Sequence, residues 1–255
     1  MSLHLLKLAF DTRALLAFAR GQGLLHRELD DGYLVHAALT SSFGASAPAP
    51  FVLESVLDGR PAIDDTATQV VLAYSEQPLE ALESLGKSEL IRWERSESKP
   101  VPSLALGREV GFITRVIPTV RSRAAAPGHA ASGRGEGREM DAFLATCFRA
   151  GEGVPVDRAE VYRDWLAKEF ATRSDRPAGG AELTDFSLRA FRRIPLMRKE
   201  QTSGDGRKRH VLERPDAIIT GTLRVTDASA FQALLARGVG RHRSFGFGML
   251  LLRRV

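Results

Sequence analysis

Apolar residues along the first 96 positions follow two spacings, one typical of strands and one typical of helices. Residues 3–10 form a nearly continuous apolar run of strand length, and residues 11–20 continue with helical spacing between a capping Asp11 and a stopping Gly21. The same patterns predict strands at 51–57, 68–74 and 90–93 and helices at 33–43 and 78–85. This order of elements, β-α-β-β-α-β, is that of a ferredoxin-like unit.

A second set of elements follows a connector that contains proline and serine, residues 97–107, so we predict two domains at 1–96 and 108–255. Residues 124–137, rich in Gly, Ala and Ser, predict a mobile loop, which begins an insertion at about 124–153. The remaining patterns predict strands at 109–120, 183–193, 209–212 with 217–225, and 247–252, and helices at 140–150, 157–170 and 227–237. The expected fold class is α+β, with tandem ferredoxin-like (RRM-like) domains, β-α-β-β-α-β twice.

Composition is that of a folded globular protein, with 44% apolar and 26% charged residues among 255. No apolar run approaches the roughly 20 residues of a membrane span, and the start lacks a signal-peptide pattern, so we expect a cytoplasmic protein with no membrane partner. The single cysteine, Cys147, excludes an internal disulfide. A net charge of +5, mostly from arginine, fits either a polyanionic partner or a basic surface that serves solubility.

The most specific segment is residues 238–248, where glycines surround three consecutive basic residues. Glycine permits positive φ and lets backbone N–H groups approach a phosphate, while the basic side chains add charged donors. The alternative is a tight helix-to-strand turn whose glycines relieve steric conflict. Phosphate contacts are predicted for Gly238, Gly240, His242, Arg243, Ser244 and Gly246, and Arg241 is predicted to stabilise charge on a reacting phosphate.

A second basic cluster flanks residues 202–206 on two strand-like segments and predicts a basic β-hairpin. Such a hairpin would suit a polyanionic partner, because arginine and lysine side chains neutralise phosphates along a nucleic-acid backbone. A solvated hairpin that keeps arginines for solubility is the alternative. The predicted contacts are Arg192, Arg193, Arg198, Lys199, Arg207, Lys208 and Arg209, with Arg189 in the same cluster and Arg115, Arg121 and Arg123 as an extension of the surface.

Residues 238–252 resemble the C-terminal glycine-rich signature of the CRISPR repeat-processing endoribonucleases of the RAMP superfamily, especially the CasE-like branch of type I-E systems. Residues 111–119 are similar to the arginine-strand-proline segment of that family, and residues 162–166 to its Trp-Leu helix, in the same order. The resemblance implies tandem ferredoxin-like domains and CRISPR repeat RNA stem-loops as partners. It also implies retention of the mature guide RNA in a complex with other CRISPR effector subunits.

Residues 33–36 resemble the Tyr-x-x-His helix motif that carries catalysis in this family. Residues three apart share a helical face, so Tyr33 and His36 would present a phenol and an imidazole to one pocket. RNA cleavage by its own 2′-OH needs one group to take that proton and another to protonate the 5′-oxygen, and histidine suits either role. The resemblance implies His36 as the acid or base and Tyr33 as a support for the nucleophile or phosphate. His26 is the nearest competitor.

The motif lies later in the chain than in compact CasE-like proteins, after an extra stretch at 21–32. Relatives in type IV systems have varied active sites, which leaves open a site where arginines stabilise the phosphate and no histidine takes part. The sequence has no P-loop, zinc-protease helix or paired-cysteine deaminase motif, so no metal or cofactor is expected. Two functions follow, a metal-independent endoribonuclease or a non-catalytic RNA-binding subunit of an effector complex.

Overall fold

The computed structural model describes residues 2–24, 31–61, 63, 67–85, 88–122, 138–174, 177–199 and 209–255, with side chains at all of these except 122, 138, 196–199 and 209–212. Several predicted features lie outside the described residues: the loop at 124–137, His26, Arg123, Arg207 and Lys208. Within the described ranges, no helix is both long enough and apolar enough to cross a membrane.

The first domain is one antiparallel sheet with helices on one face. Its elements are β1 (His4–Asp11), α1 (Thr12–Gly21), α2 (Asp31–Phe43), β2 (Phe51–Leu53), α3 (Glu54–Leu57), β3 (Thr68–Ser75), α4 (Leu79–Leu85) and β4 (Glu97–Pro100). The strand order is β2-β3-β1-β4, the ferredoxin-like arrangement. Asp11 caps α1 as predicted, because its side chain accepts a hydrogen bond from Ala14 N at 2.9 Å.

Two strands of this domain were predicted wrongly. The strand predicted at 51–57 ends at Leu53, and residues 54–57 form the short helix α3. The closing strand is not at 90–93, where Ile91 makes only an isolated bridge to Phe10. The sheet is closed by β4, whose Glu97 pairs with Lys7 of β1, so residues 97–100 belong to the sheet rather than to a connector.

The second domain repeats the arrangement with longer strands. Its elements are β5 (Glu109–Val116), β6 (Thr119–Ser122), β7 (Arg138–Asp141), α5 (Ala142–Ala150), α6 (Arg158–Phe170), β8 (Ala181–Lys199), β9 (Arg209–Val225), α7 (Ala228–Arg237) and β10 (Leu250–Arg253). The main sheet has the order β10-β5-β9-β8, and β6 pairs with β7. Read within each domain, both sheets have the strand order 2-3-1-4, which confirms tandem ferredoxin-like domains. The predicted strand 109–120 is wrong in one respect, because it is interrupted at Ile117 and Pro118.

The first sheet contributes side chains to two cores, one on each face, because alternate residues of a strand point to opposite sides. Leu6, Leu8 and Phe10 pack with residues of α1 and α2 in one core. Leu3 and Tyr74 lie in a second core that is shared with the C-terminal domain. The Tyr74 hydroxyl also donates to the Leu250 carbonyl at 2.9 Å. These contacts fix the two domains against each other.

The strands β8 and β9 form a hairpin that is longer than the sheet to which it belongs. Their pairing runs from Ala181 and Val225 to Lys199 and Arg209, whereas the pairing of β9 with β5 begins only at Ala217. Residues 192–199 and 209–216 therefore extend beyond β5 as a two-stranded structure, the basic arm. At about 3.3 Å per residue this arm reaches roughly 26 Å. The predicted hairpin is thus present in the backbone.

Candidate active site

Helix α2 of the first domain lies against the glycine-rich loop of the second domain, residues 238–248. The Tyr33 ring is stacked on the Phe245 ring, with centroids 5.9 Å apart and planes 7° apart. The His36 ring meets the same phenyl ring edge-on, at 5.2 Å and 68°. The two residues predicted to be catalytic therefore share a helix face and lie beside the loop predicted to bind phosphate.

His36 is placed for proton transfer. It is half-buried, and burial lowers the pKa of its imidazole below the ordinary 6.5 because the charged form loses solvation. Within the described part of the chain, no residue forms a hydrogen bond with either ring nitrogen. A neutral imidazole with an available lone pair is what a general base requires near neutral pH.

The glycine-rich loop rests on helix α6. A Cβ on Gly240 would lie 3.0 Å from two atoms of the Trp165 ring, so only glycine lets the loop approach this closely. The Gly240 N–H donates to Glu169 Oε2 at 3.1 Å, and Trp165 Nε1 donates to the Thr119 carbonyl at 3.2 Å. The Trp-Leu helix and the glycine-rich segment, which are far apart in sequence, form one structural unit.

The loop turns through a short 3₁₀ helix, Arg243–Phe245, between two residues in the left-handed region. His242 has φ 60° and ψ 27°, and Gly246 has φ 80° and ψ 21°. Among the described residues, His242 is the one non-glycine with positive φ. This conformation costs a non-glycine residue about 1 kcal/mol, so the surrounding contacts must hold it.

Glu139 of β7 supplies those contacts and was not among the predicted site residues. Its Oε1 accepts a hydrogen bond from Thr119 Oγ1 at 2.8 Å and lies 3.3 Å from His242 Nε2. Its Oε2 lies 3.8 Å from Arg241 Nη1 and 3.9 Å from Arg214 Nη2. The His242 hydrogen bond, followed by that of Thr119, lowers the pKa of Glu139 from 4.5 to about 2 despite partial burial. The carboxylate is therefore ionised across the working pH range.

The other polar residues of the loop differ in how they are held. Arg243 donates to the Arg237 carbonyl at 2.8 Å, at the end of α7. Arg241 has 46% of its side chain exposed, and Ser244 is exposed. Arg241 is thus more accessible to a ligand than Arg243, whose guanidinium donates to a backbone carbonyl.

Arg115 does not lie on the predicted RNA-binding surface, which corrects that expectation. Its side chain is 3% exposed and forms a bidentate ion pair with Asp216, through Nε and Nη2 at 2.9 Å each. Its Cζ lies 4.1 Å from the centroid of the Phe247 ring, and its carbonyl accepts from Gly248 N at 2.7 Å. Arg115 therefore packs against the glycine-rich loop and helps to hold its conformation.

The basic arm carries cations that are more exposed. Arg192 donates to Asp216 Oδ2 at 2.8 Å while 61% of its side chain is exposed. Arg193 lies 3.8 Å from Glu213, and both side chains are exposed. The exposed pair of Arg193 and Glu213 contributes little energy, so phosphate can replace the Glu213 carboxylate as the partner of Arg193. Arg189, which lies in β8 just before the arm, is also exposed, whereas Arg198, Lys199 and Arg209 are described only in their backbone positions on the arm.

Comparisons with known proteins agree with this fold. A family described as CRISPR associated protein matches residues 3–254. Thermus thermophilus Cse3, solved bound to an RNA representing a pre-cleavage complex, is similar over 99% of this chain and 100% of its own, at 18% identity and TM-score 0.60.

Two further solved structures have the same fold. Cas6e of Escherichia coli K-12 is similar over 99% of this chain and 100% of its own, at 18% identity and TM-score 0.54. A chain of a CRISPR RNA-guided surveillance complex is similar over the same shares, at 16% identity and TM-score 0.55. No curated protein matches the sequence.

Proposed function

The chain belongs to the CRISPR associated protein family, and from that premise we propose that it is a metal-independent endoribonuclease of CRISPR transcripts. It cleaves precursor RNA at repeat stem-loops in the cytoplasm and stays bound to the mature guide RNA. The observation that carries this proposal is the meeting of Tyr33 and His36 with the glycine-rich loop at the Phe245 ring. A proton-transfer group and a cationic loop from two domains thereby border one site.

The reaction follows from the positions of these groups. The 2′-OH of one nucleotide attacks the adjacent phosphorus and gives its proton to His36. The new 2′-O–P bond forms as the P–O5′ bond breaks, and a second group protonates the 5′-oxygen, which leaves a 2′,3′-cyclic phosphate and a 5′-hydroxyl. Arg241 stabilises the additional negative charge on the phosphorane, and Tyr33 supports the phosphate.

RNA binding is assigned to the loop and the basic arm together. Exposed arginines along the arm would follow the phosphates of the repeat stem, while the loop holds the nucleotides at the cut. The solved structures of similar fold support this assignment, because one is a Cse3 bound to RNA and another is a chain of a surveillance complex. Other effector subunits are accordingly proposed as partners of this chain.

The test uses a repeat stem-loop from the CRISPR array of the same genome, incubated with the full chain in EDTA. We expect two products, an upstream fragment ending in a 2′,3′-cyclic phosphate and a downstream fragment with a 5′-hydroxyl. His36→Ala should lower the single-turnover rate at saturating protein by about 100-fold or more, since general acid–base catalysis contributes that much. Its RNA affinity should remain that of the wild type. Thr40→Ala, an exposed position on the same helix, is the control and should leave both quantities unchanged.

Three outcomes would contradict the proposal. Tight binding without product from the wild type would identify a non-catalytic RNA-binding subunit. Cleavage only after magnesium is added would exclude the metal-independent route. Unchanged cleavage by His36→Ala would remove His36 from the reaction.

A further inference from the structure

A second imidazole lies at the aromatic ring that His36 contacts. The centroid of the His242 ring is 6.5 Å from that of Phe245, and the centroid of the His36 ring is 5.2 Å from it. One histidine comes from the first domain and the other from the second. Two proton-transfer groups therefore border the proposed cleavage site.

The orientation of His242 is fixed by its backbone and by one carboxylate. Its left-handed backbone, φ 60° and ψ 27°, is one that non-glycine residues seldom adopt. Its Nε2 lies 3.3 Å from Glu139 Oε1. Within the described part of the chain, Nδ1 has no hydrogen-bond partner. A carboxylate on one ring nitrogen orients an imidazole and leaves the other nitrogen for the substrate.

The charged groups around His242 come from four elements. Glu139 of β7 contacts the imidazole directly, and Arg214 of β9 and Arg241 of the loop contact the other oxygen of that carboxylate. His36 of α2 contacts the edge of the Phe245 ring, and Arg243 follows His242 in the chain but donates to the Arg237 carbonyl. Glu139 is thus the negative group in direct contact with His242, while Arg214 and Arg241 contact that carboxylate and Arg243 donates to a backbone carbonyl.

We propose that His242 is the general acid of the cleavage reaction and that Glu139 is the residue that positions it. The proposal rests on the proposed endoribonuclease function, whose reaction needs two proton transfers. His36 takes the proton of the attacking 2′-OH as the 2′-O–P bond forms. His242 gives the proton on Nδ1 to the 5′-oxygen as the P–O5′ bond breaks. One proton is taken up and one is released, so the reaction is balanced without a metal or a co-reactant.

The informative variant is His242→Asn. Asparagine tolerates the left-handed backbone and can hydrogen-bond to Glu139, but it cannot transfer a proton. Glu139→Gln keeps the shape of its side chain and removes its charge. Glu97→Gln, an exposed carboxylate on β4 of the first sheet, is the matched control.

The measurement is the single-turnover rate at saturating protein on two substrates. One is the natural repeat RNA, and the other carries sulfur in place of the bridging 5′-oxygen at the mapped cut. A thiolate leaves without being protonated, so this substrate does not need a general acid. We expect His242→Asn to cleave the natural RNA about 100-fold more slowly or worse, and to cleave the sulfur substrate at nearly the wild-type rate. Glu139→Gln should show a smaller loss with the same rescue, and Glu97→Gln should show neither.

The pH dependence gives a second readout. The wild-type rate on natural RNA should rise and then fall with pH, because one histidine must be neutral and the other protonated. His242→Asn should lose the fall at high pH. Two results would overturn the role of His242 but leave the proposed function intact. In one, His242→Asn is slowed equally on both substrates; in the other, His242→Asn cleaves the natural RNA at the wild-type rate. Failure of the wild type to cut either substrate would instead overturn the proposed function together with this proposal.

Discussion

The glycine-rich loop and the basic arm are both cationic, but their charges are held differently. In the loop, His242 and Arg241 contact Glu139 of β7, and Arg243 donates a hydrogen bond to a backbone carbonyl. On the arm, Arg193 lies 3.8 Å from Glu213, and both side chains are exposed. The loop is a preorganised group of donors, whereas Arg192 and Arg193 of the arm each have more than half of the side chain exposed to solvent.

This difference separates catalysis from affinity. Fixed donors need no reorganisation when charge develops on the phosphorane, so they favour the transition state. Solvated arginines bind phosphate mainly by releasing counterions, a gain that depends on salt and is equal for substrate and transition state. We therefore expect changes in the loop to affect the rate and changes in the arm to affect binding.

One buried carboxylate, that of Asp216, connects the two regions. Asp216 accepts hydrogen bonds from Arg115, which lies beneath the loop, and from Arg192, which lies at the base of the arm. Arg214 of the arm also approaches Glu139, at 3.9 Å. The loop and the arm are thus held in a fixed relation, so an RNA stem bound along the arm would be directed toward the site.

The largest expected effect comes from breaking this connection with Arg115→Met. The buried carboxylate of Asp216 would keep only Arg192, and removing one partner of a buried pair costs about 3 kcal/mol. We expect the free energy of unfolding in urea to fall by that amount. Arg115→Met combined with Asp216→Leu should recover much of the loss, since no unpaired charge remains. Full stability with weakened RNA binding would instead return Arg115 to the RNA-binding surface.

A smaller loss is expected from Glu139→Gln. At neutral pH its free energy of unfolding should be about 2 kcal/mol lower than that of the wild type, because a charge-assisted hydrogen bond is removed. The pKa of Glu139 is lowered from 4.5 to about 2 in the folded chain, so its contribution is complete above pH 4.5 and disappears as the pH falls toward 2. Urea unfolding at several pH values measures the difference between variant and wild type. A difference that stayed constant down to the acid limit would contradict this assignment.

The smallest effect should be on the free energy of RNA binding, and it should come from exposed arginines of the arm and of the adjoining part of β8. Arg189→Ala with Arg193→Ala should weaken RNA binding by about 1 kcal/mol and reduce the slope of log affinity against log salt by about 1 for each phosphate that the protein no longer neutralises. Titrations at several salt concentrations test this, with Arg254→Ala as a control for charge alone. A slope equal to that of the wild type would exclude phosphate binding by these two arginines.

Sequence patterns predicted most of the helices, strands and turns, because capping, apolar spacing and glycine turns each depend on residues close together in the chain. Asp11 as a cap, the apolar run of β1 and the glycines of the loop each have their signal within a few residues. The strand predicted at 90–93 failed because β4 is polar, with the sequence Glu-Ser-Lys-Pro. An edge strand of this kind has no apolar alternation to reveal it.

The candidate site was predicted only in part, since its missing members act across long distances. Glu139 is 103 positions from His242, and no local pattern marks it as the partner of a histidine. Arg115 has the residue type of a phosphate ligand, but its pairing with Asp216, 101 positions away, makes it structural. Phe245 stands between loop glycines, where an aromatic side chain is unusual enough to have indicated a contact.

The most direct test compares rate and affinity for His36→Ala and for the Arg189→Ala, Arg193→Ala double variant on the same repeat RNA. If catalysis resides at the domain junction and affinity on the arm, His36→Ala will lose cleavage at saturating protein while its Kd is unchanged. The double variant will cleave at the wild-type rate once saturated, although its Kd is raised. A double variant that cannot cleave at saturation, or a His36→Ala protein that cleaves normally, would contradict this division.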